Sequence, residues 1–148
     1  MAVFNLRRLN ENLSKRVPVA ANFKILGKVP GGKLEAGSHL IGRIEGDVVI
    51  TRVTSVIADG FGGVSPTATY TDSDGLIYFT DRDLAVEGAV GSQLTNPDGV
   101  GRPAPIYKEG VTEFYVDYNG DSWVGEACLV VEYVNLDTKS GLHNGGIY

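Results

Sequence analysis

Residues 111–134 read VTEFYVDYNGDSWVGEACLVVEYV. Alternation over Val111 to Tyr118 puts Phe114, Val116 and Tyr118 on one face of an extended chain and Glu113, Tyr115 and Asp117 on the other. Asn119-Gly120 follows at once, a pair that tolerates the positive φ angles of a type I′ turn. This predicts a hairpin returning through Val124 to Val134, with Ala127, Leu129, Val131 and Tyr133 toward the core. A second β-branched run spans Gly46 to Ala58. Here Val48, Ile50 and Val56 are expected on one face and Val49, Val53 and Ile57 on the other, around Thr51, Thr54 and Ser55.

Working outward, weaker strands are expected at Ala20 to Val29, Ser38 to Gly42, Val64 to Thr71 and Leu76 to Thr80, with short pieces near Leu84 and Ile106. Gly, Pro, Asn and Asp clusters separate them, and no long amphipathic helix intervenes. The fold class is therefore all-β: an antiparallel β-sandwich, jelly-roll-like, of seven or eight strands. Three segments fall outside the rhythm. Residues 1–16 read as an extended N-terminal arm, with a short helix at Phe4 to Leu13 from the spacing of Leu6, Leu9 and Leu13; residues 17–136 form the sandwich, and residues 137–148 a tail. Gly88 to Gly110 holds five glycines and three prolines and reads as a long Gly/Pro-rich binding loop.

The chain has 148 residues, enough for one domain with one core. Twenty of them are glycine, roughly double the usual share of about 7 %, as short strands joined by tight turns require. Cys128 stands alone, which excludes an internal disulfide and a cysteine-rich zinc site and fits a reducing compartment. Residues 1–17 show no secretory pattern, and no apolar run is long enough for a membrane helix, so no membrane partner is expected. The net charge of −5 conceals a split. Residues 1–28 carry Arg7, Arg8, Lys15, Arg16, Lys24 and Lys28 against Glu11 alone, whereas the remainder carries seven basic and seventeen acidic residues. The body should repel nucleic acid, and the start of the chain could seek an acidic surface.

No catalytic constellation assembles from the sequence. Asp72-Ser73-Asp74-Gly75, with Asp81 and Asp83 nearby, resembles part of a calcium loop but lacks its further ligands, so a hairpin turn is the better reading. His39, His143 and Cys128 supply no nucleophile motif, and Cys128 is expected to pack as a small hydrophobe. Glu126 and Glu132 share a strand face but lie too far apart for a glycosidase pair. Gly60-Phe61-Gly62-Gly63 lacks the helix and lysine of a phosphate loop and reads as a flexible connection. Trp123, Tyr115, Tyr118 and Tyr133 are expected to fill the core around the hairpin, a sugar-stacking platform being the alternative. No metal, cofactor or catalytic residue is assigned.

Five further stretches carry a family likeness. Gly27-Lys28-Val29-Pro30, Leu34-Glu35-Ala36-Gly37-Ser38, Asp47 to Thr51, Gly62 to Thr69 and Gly125 to Val134 together resemble small all-β structural proteins of tailed bacteriophage particles, over most of residues 25–135. The resemblance implies a capsid decoration or cement protein: no enzyme, made in the host cytoplasm, lying on the exterior of the virion and bridging neighbouring copies of the major capsid protein. Neighbouring copies of the chain itself, as dimer or trimer, would be further partners. Expected contact residues are Phe4, Arg7, Arg8, Lys15 and Arg16 in the arm, with Asn96, Pro97, Arg102, Pro103 and Tyr107 in the loop. Two other readings stay open: a phage tail tube or adaptor component, and a carbohydrate-binding module using Trp123 with calcium at Asp72 and Asp74.

Overall fold

The β-branched and aromatic runs form strands, and no helix occurs among the described residues, which in this computed structural model are 19–91 and 105–136. In chain order the strands are β1 (Val19–Leu26), β2 (Lys28–Val29), β3 (Gly32–Lys33), β4 (Gly37–Glu45), β5 (Val48–Asp59), β6 (Thr67–Asp72), β7 (Ile77–Asp83), β8 (Gly88–Gly91), β9 (Ile106–Lys108), β10 (Val111–Asn119) and β11 (Glu126–Asn135). One sheet has the order β1-β11-β5-β8, with β9 also on the outer edge of β5; the other runs β4-β10-β6-β7, and β2 and β3 make a small ribbon.

The antiparallel pairings are nested. β1 lies against β11, β4 against β10, β5 against β8 and β9, and β6 against β7. Such wrapping of paired strands into two sheets is the jelly-roll arrangement, so the expected fold class holds. Phe23, Ile25, Val48, Ile50, Val53, Ile57, Leu129 and Val131 of the first sheet meet Ile44, Tyr70, Tyr78, Phe114, Val116 and Tyr118 of the second in one core. Each such side chain contributes roughly 1.5–3 kcal/mol by leaving water. The Phe23 and Phe114 ring centroids are 5.2 Å apart, and those of Tyr78 and Phe114 5.8 Å. Gly42 stands opposite Phe114 because the Phe23 ring occupies the space that a Cβ would need.

Three expectations change. The Asn119-Gly120 hairpin does not form: β10 pairs with β4 and β6, β11 with β1 and β5, and the two strands sit in different sheets. Neither Asn119 nor Gly120 takes the positive φ that a type I′ turn demands. Both strands bury their apolar faces on one core from opposite sides, which hairpin neighbours within one sheet cannot do.

In β5 the faces switch. Val48 and Ile50 are buried together with Val53, Ser55 and Ile57, while Val49 and Val56 are half-buried on the outer side. The cause is a register shift opposite Glu132 and Tyr133, which pair with Arg52 and Ile50 and leave Thr51 as an extra residue.

The ends of Gly88 to Gly110 are strands. β8 pairs with 54–57 of β5 and β9 with 48–50, so the two lie along one edge of β5. Residues 92–104, the arm 1–16 with the short helix expected in it, and the tail 137–148 lie outside the described residues. Leu84 sits just past β7, fully buried; its N–H donates to the Pro66 carbonyl, and its own carbonyl accepts from Phe61.

Candidate interaction surfaces

At one end of the sandwich four connections, 27–36, 60–66, 84–87 and 120–125, are laced together. Gly27 N–H donates to Gly125 O at 2.9 Å, Phe61 N–H to Leu84 O at 2.8 Å and Gly62 N–H to Ser122 Oγ at 2.8 Å. The Gly60 to Gly63 stretch is thus pinned rather than flexible, with the Phe61 ring in the core 5.8 Å from Tyr118. Glycine is needed at 27, 60 and 125 because the Val124 carbonyl, the Ala85 carbonyl and the Phe61 ring lie where Cβ atoms would stand. The laced end projects Val64 (92 % exposed), Trp123 (58 %), Val86 and Val124 into solvent. Lys33 and Asp121 pair beside Trp123, and the Trp123 ring edge lies over Gly32.

Away from this end, the Asp72-Ser73-Asp74-Gly75 turn closes β6 onto β7. The buried Asp72 carboxylate accepts from Asp74 N–H at 2.9 Å, Leu76 N–H at 3.1 Å and the Tyr78 hydroxyl at 2.6 Å. Lys108 Nζ, from β9 of the other sheet, reaches both Asp72 and Asp74 at 2.8 Å. Burial lowers the Lys108 pKa, but the hydrogen bonds that its ammonium donates to Asp72 and Asp74 outweigh it, and the net direction is upward. An ammonium therefore stands where the calcium reading would place a metal, and the turn reading holds. Among the described residues no group of three or more His, Cys, Asp or Glu could hold a metal ion.

The outer face of the β4-β10-β6-β7 sheet carries an open hollow of about 420 Å³ lined by Ala36, Gly37, Thr67, Thr69, Asp81, Asp117 and Asn119. Asp81, at φ 48°, donates its N–H to Thr69 Oγ1 at 3.0 Å.

Of the expected contact residues, Tyr107 is in β9 and 54 % exposed; Phe4, Arg7, Arg8, Lys15, Arg16, Asn96, Pro97, Arg102 and Pro103 lie outside the described residues. The aromatic cluster does not assemble. Tyr118 is buried, Tyr133 half-buried on the other sheet and Trp123 exposed, while the Tyr115 hydroxyl donates to Glu113 on the outside of β10. Cys128 is half-exposed on the outer face of β11 rather than buried, and partial burial pushes its thiol pKa up. On that face Glu132 lies 3.8 Å from Arg52, as a solvent-facing reading requires. The His39 ring contacts the Glu35 carbonyl at 2.6 Å, and His143 is outside the described residues. Sequence reasoning missed Lys108. Its signal was a lone basic residue in an apolar stretch, uninformative until the fold brought Asp72 beside it.

Fold and surfaces define an all-β protein of jelly-roll-like architecture whose described part offers loops, edges and faces. No family model matches the chain, and no curated protein does. Among solved structures it is similar to a chain of the capsid of Ralstonia phage GP4, at 17 % identity and a TM-score of 0.52, over 80 % of this chain and 84 % of that one. A chain of the virus-like particle of the extra small virus of the giant freshwater prawn Macrobrachium rosenbergii matches at 14 % identity and a TM-score of 0.36, over 79 % and 78 %. The first likeness speaks to the fold; the second is too distant to carry an argument.

Proposed function

We propose that this chain is a virion structural protein that binds the outside of a phage head and stabilises the shell by bridging major capsid subunits. The observation that carries the reading is the jelly-roll-like fold built by the nested strand order, which is similar at a TM-score of 0.52 to a chain of the Ralstonia phage GP4 capsid. A compact sandwich supplies a rigid body. The basic arm, carrying Phe4, Arg7, Arg8, Lys15 and Arg16, and the loop carrying Asn96, Pro97, Arg102, Pro103 and Tyr107 supply the contacts. Each contact is small, and many copies on one shell add avidity, because one engaged site raises the effective concentration for the next. The sugar-platform alternative loses support, since Tyr118 is buried, Tyr115, Tyr133 and Trp123 stand apart on different elements, and Lys108 fills its calcium position.

The test is co-sedimentation with phage heads stripped of accessory proteins. Saturable stoichiometry together with raised heat resistance of the heads is the expected result. Deletion of residues 2–16 should weaken binding at least tenfold; unchanged binding after deletion of both the arm and residues 92–104 would sink the reading. A ring of defined size in solution, with no head binding, would favour the tail reading.

A further inference from the structure

Two open sheets have four edges, and an edge strand presents a row of unpaired N–H and C=O groups that invites another strand unless something blunts it. Three of the four are blunted here. β4 has an irregular register beside Gly42 and carries Arg43 and Glu45. β7 has two register shifts, the left-handed Asp81 and the run Asp81-Arg82-Asp83. β8 and β9 are only four and three residues long, and they cover separate stretches of β5.

β1 has none of these devices. Its eight residues, VAANFKIL, pair with β11 without a register break from Val19 opposite Tyr133 to Leu26 opposite Glu126, with no proline, no glycine and one charge, Lys24. Among the described residues no strand pairs with its other edge. Its outward positions Ala20 and Asn22 are small and exposed.

We infer that the outer edge of β1 is a self-association surface that pairs antiparallel with β1 of a second copy, joining two five-stranded sheets across a two-fold axis. The register follows from the faces. Directly opposed residues of an antiparallel pair share a face, and Phe23 and Ile25 must stay on the core side in both copies, so the axis passes through one residue of the strand. Centring on Phe23 would bring two of these rings together, although each is already held between Gly42 and Phe114 of its own copy. Centring on Asn22 avoids this. Asn22 then meets its counterpart, Ala20 meets Lys24, Ala21 meets Phe23 and Val19 meets Ile25, with no like charges opposed. A strand pair alone buries less than the roughly 1,000 Å² of a stable interface. The association is therefore weak in dilute solution and strengthened wherever copies are held close together. It does not depend on the proposed virion role.

The test is site-directed cross-linking of the full chain in a Cys128→Ser background. A cysteine introduced by Asn22→Cys faces its counterpart across the axis within disulfide reach, since opposed Cα atoms in such a pair are about 4.5–5.5 Å apart. Under mild oxidation the N22C protein should form a covalent dimer at least tenfold faster than T54C, a half-buried site in the same row of the same outer face. A mixture of A20C and K24C chains should cross-link at a rate comparable to N22C, whereas A20C alone should not. Equal rates for N22C and T54C, or fast cross-linking of A20C alone, would overturn the inference. Should N22C fail to fold, sedimentation velocity at high concentration serves instead. Asn22→Lys should weaken association at least tenfold, and unchanged or absent wild-type association would reject the edge. Head binding is read separately, so either proposal can fail while the other stands.

Discussion

At the scale of single residues, Lys108 does more than its type predicts. Its side chain is 7 % exposed and that of Asp72 fully buried, so the pair is held away from water and pins β9 of one sheet to the turn of the other. Removing one partner of such a pair leaves a buried charge uncompensated, which costs about 3–5 kcal/mol. Lys108→Met is expected at the lower end, about 3 kcal/mol by urea denaturation, because Tyr78 and two backbone N–H groups still serve Asp72. Asp74→Ala, at the exposed side of the same ammonium, should cost under about 1 kcal/mol. The alkaline limit of the fold is set nearby. Burial raises Tyr70 to about 12 and, together with the hydrogen bond that the Tyr78 hydroxyl donates to Asp72, raises Tyr78 as well; Lys108 is also raised. All three hold protons in the native state that the unfolded chain releases near pH 10–10.5. Their contribution is therefore fully present below that range and lost as pH rises through the folded values. Thermal melts should show a steep decline in Tm above about pH 10, and a flat Tm between pH 9 and 12 would contradict it.

At the scale of elements, strand existence was legible and strand partnership was not. The alternation in Val111 to Tyr118 and in Ala127 to Tyr133 reports which side chains face the core, and all seven named positions are buried or packed against it. It carries no information on which strand lies alongside. The Asn119-Gly120 signal is local, whereas β10 and β11 each find both partners elsewhere in the chain. Thr51 shows the same limit in another form: strict alternation cannot reveal an inserted residue, so it puts Val56 on the same face as Val48, whereas Val48 is buried and Val56 lies on the outer side. The laced end was partly legible, since its glycines marked connections, but the exposure of Trp123 depends on loops brought together by the fold. The Thr51 bulge gives a prediction at this scale. Deleting Thr51 removes the phase change, so that either Val48 and Ile50 or Val53 and Ile57 must turn outward. Exposing two fully buried aliphatic residues costs roughly 3–6 kcal/mol, a large part of the 5–15 kcal/mol stability typical of a domain. The deletion variant should lose its cooperative transition in near-UV circular dichroism, whereas Thr51→Ala, which removes only a 3.2 Å hydrogen bond to the Glu132 carbonyl, should keep it.

At the scale of the whole molecule, nesting dictates the order in which contacts can form. The innermost pair, β6 and β7, is joined by the short Asp72 turn, whereas the outermost brings Val19 against Tyr133 across nearly the whole chain. Closing a long loop costs more entropy than closing a short one and yields nothing until both strands are in place. The β6-β7 ribbon should therefore be structured early and β1 should dock last, with overall refolding on the order of milliseconds to seconds, as in sheet proteins dominated by distant pairings. Two core truncations separate these stages. Leu76 and Ile25 are both buried, and Leu76→Ala and Ile25→Ala should each cost about 2–5 kcal/mol, enough for a reliable ratio of kinetic to equilibrium effect. Stopped-flow measurements should show Leu76→Ala acting mainly on the folding rate and Ile25→Ala mainly on the unfolding rate. The reverse assignment would mean that the first and last strands meet early, with the inner ribbon closing between them. In that case β1 would already be held against β11 when the rest of the chain condenses, and its free edge would be formed before the core that now supports it.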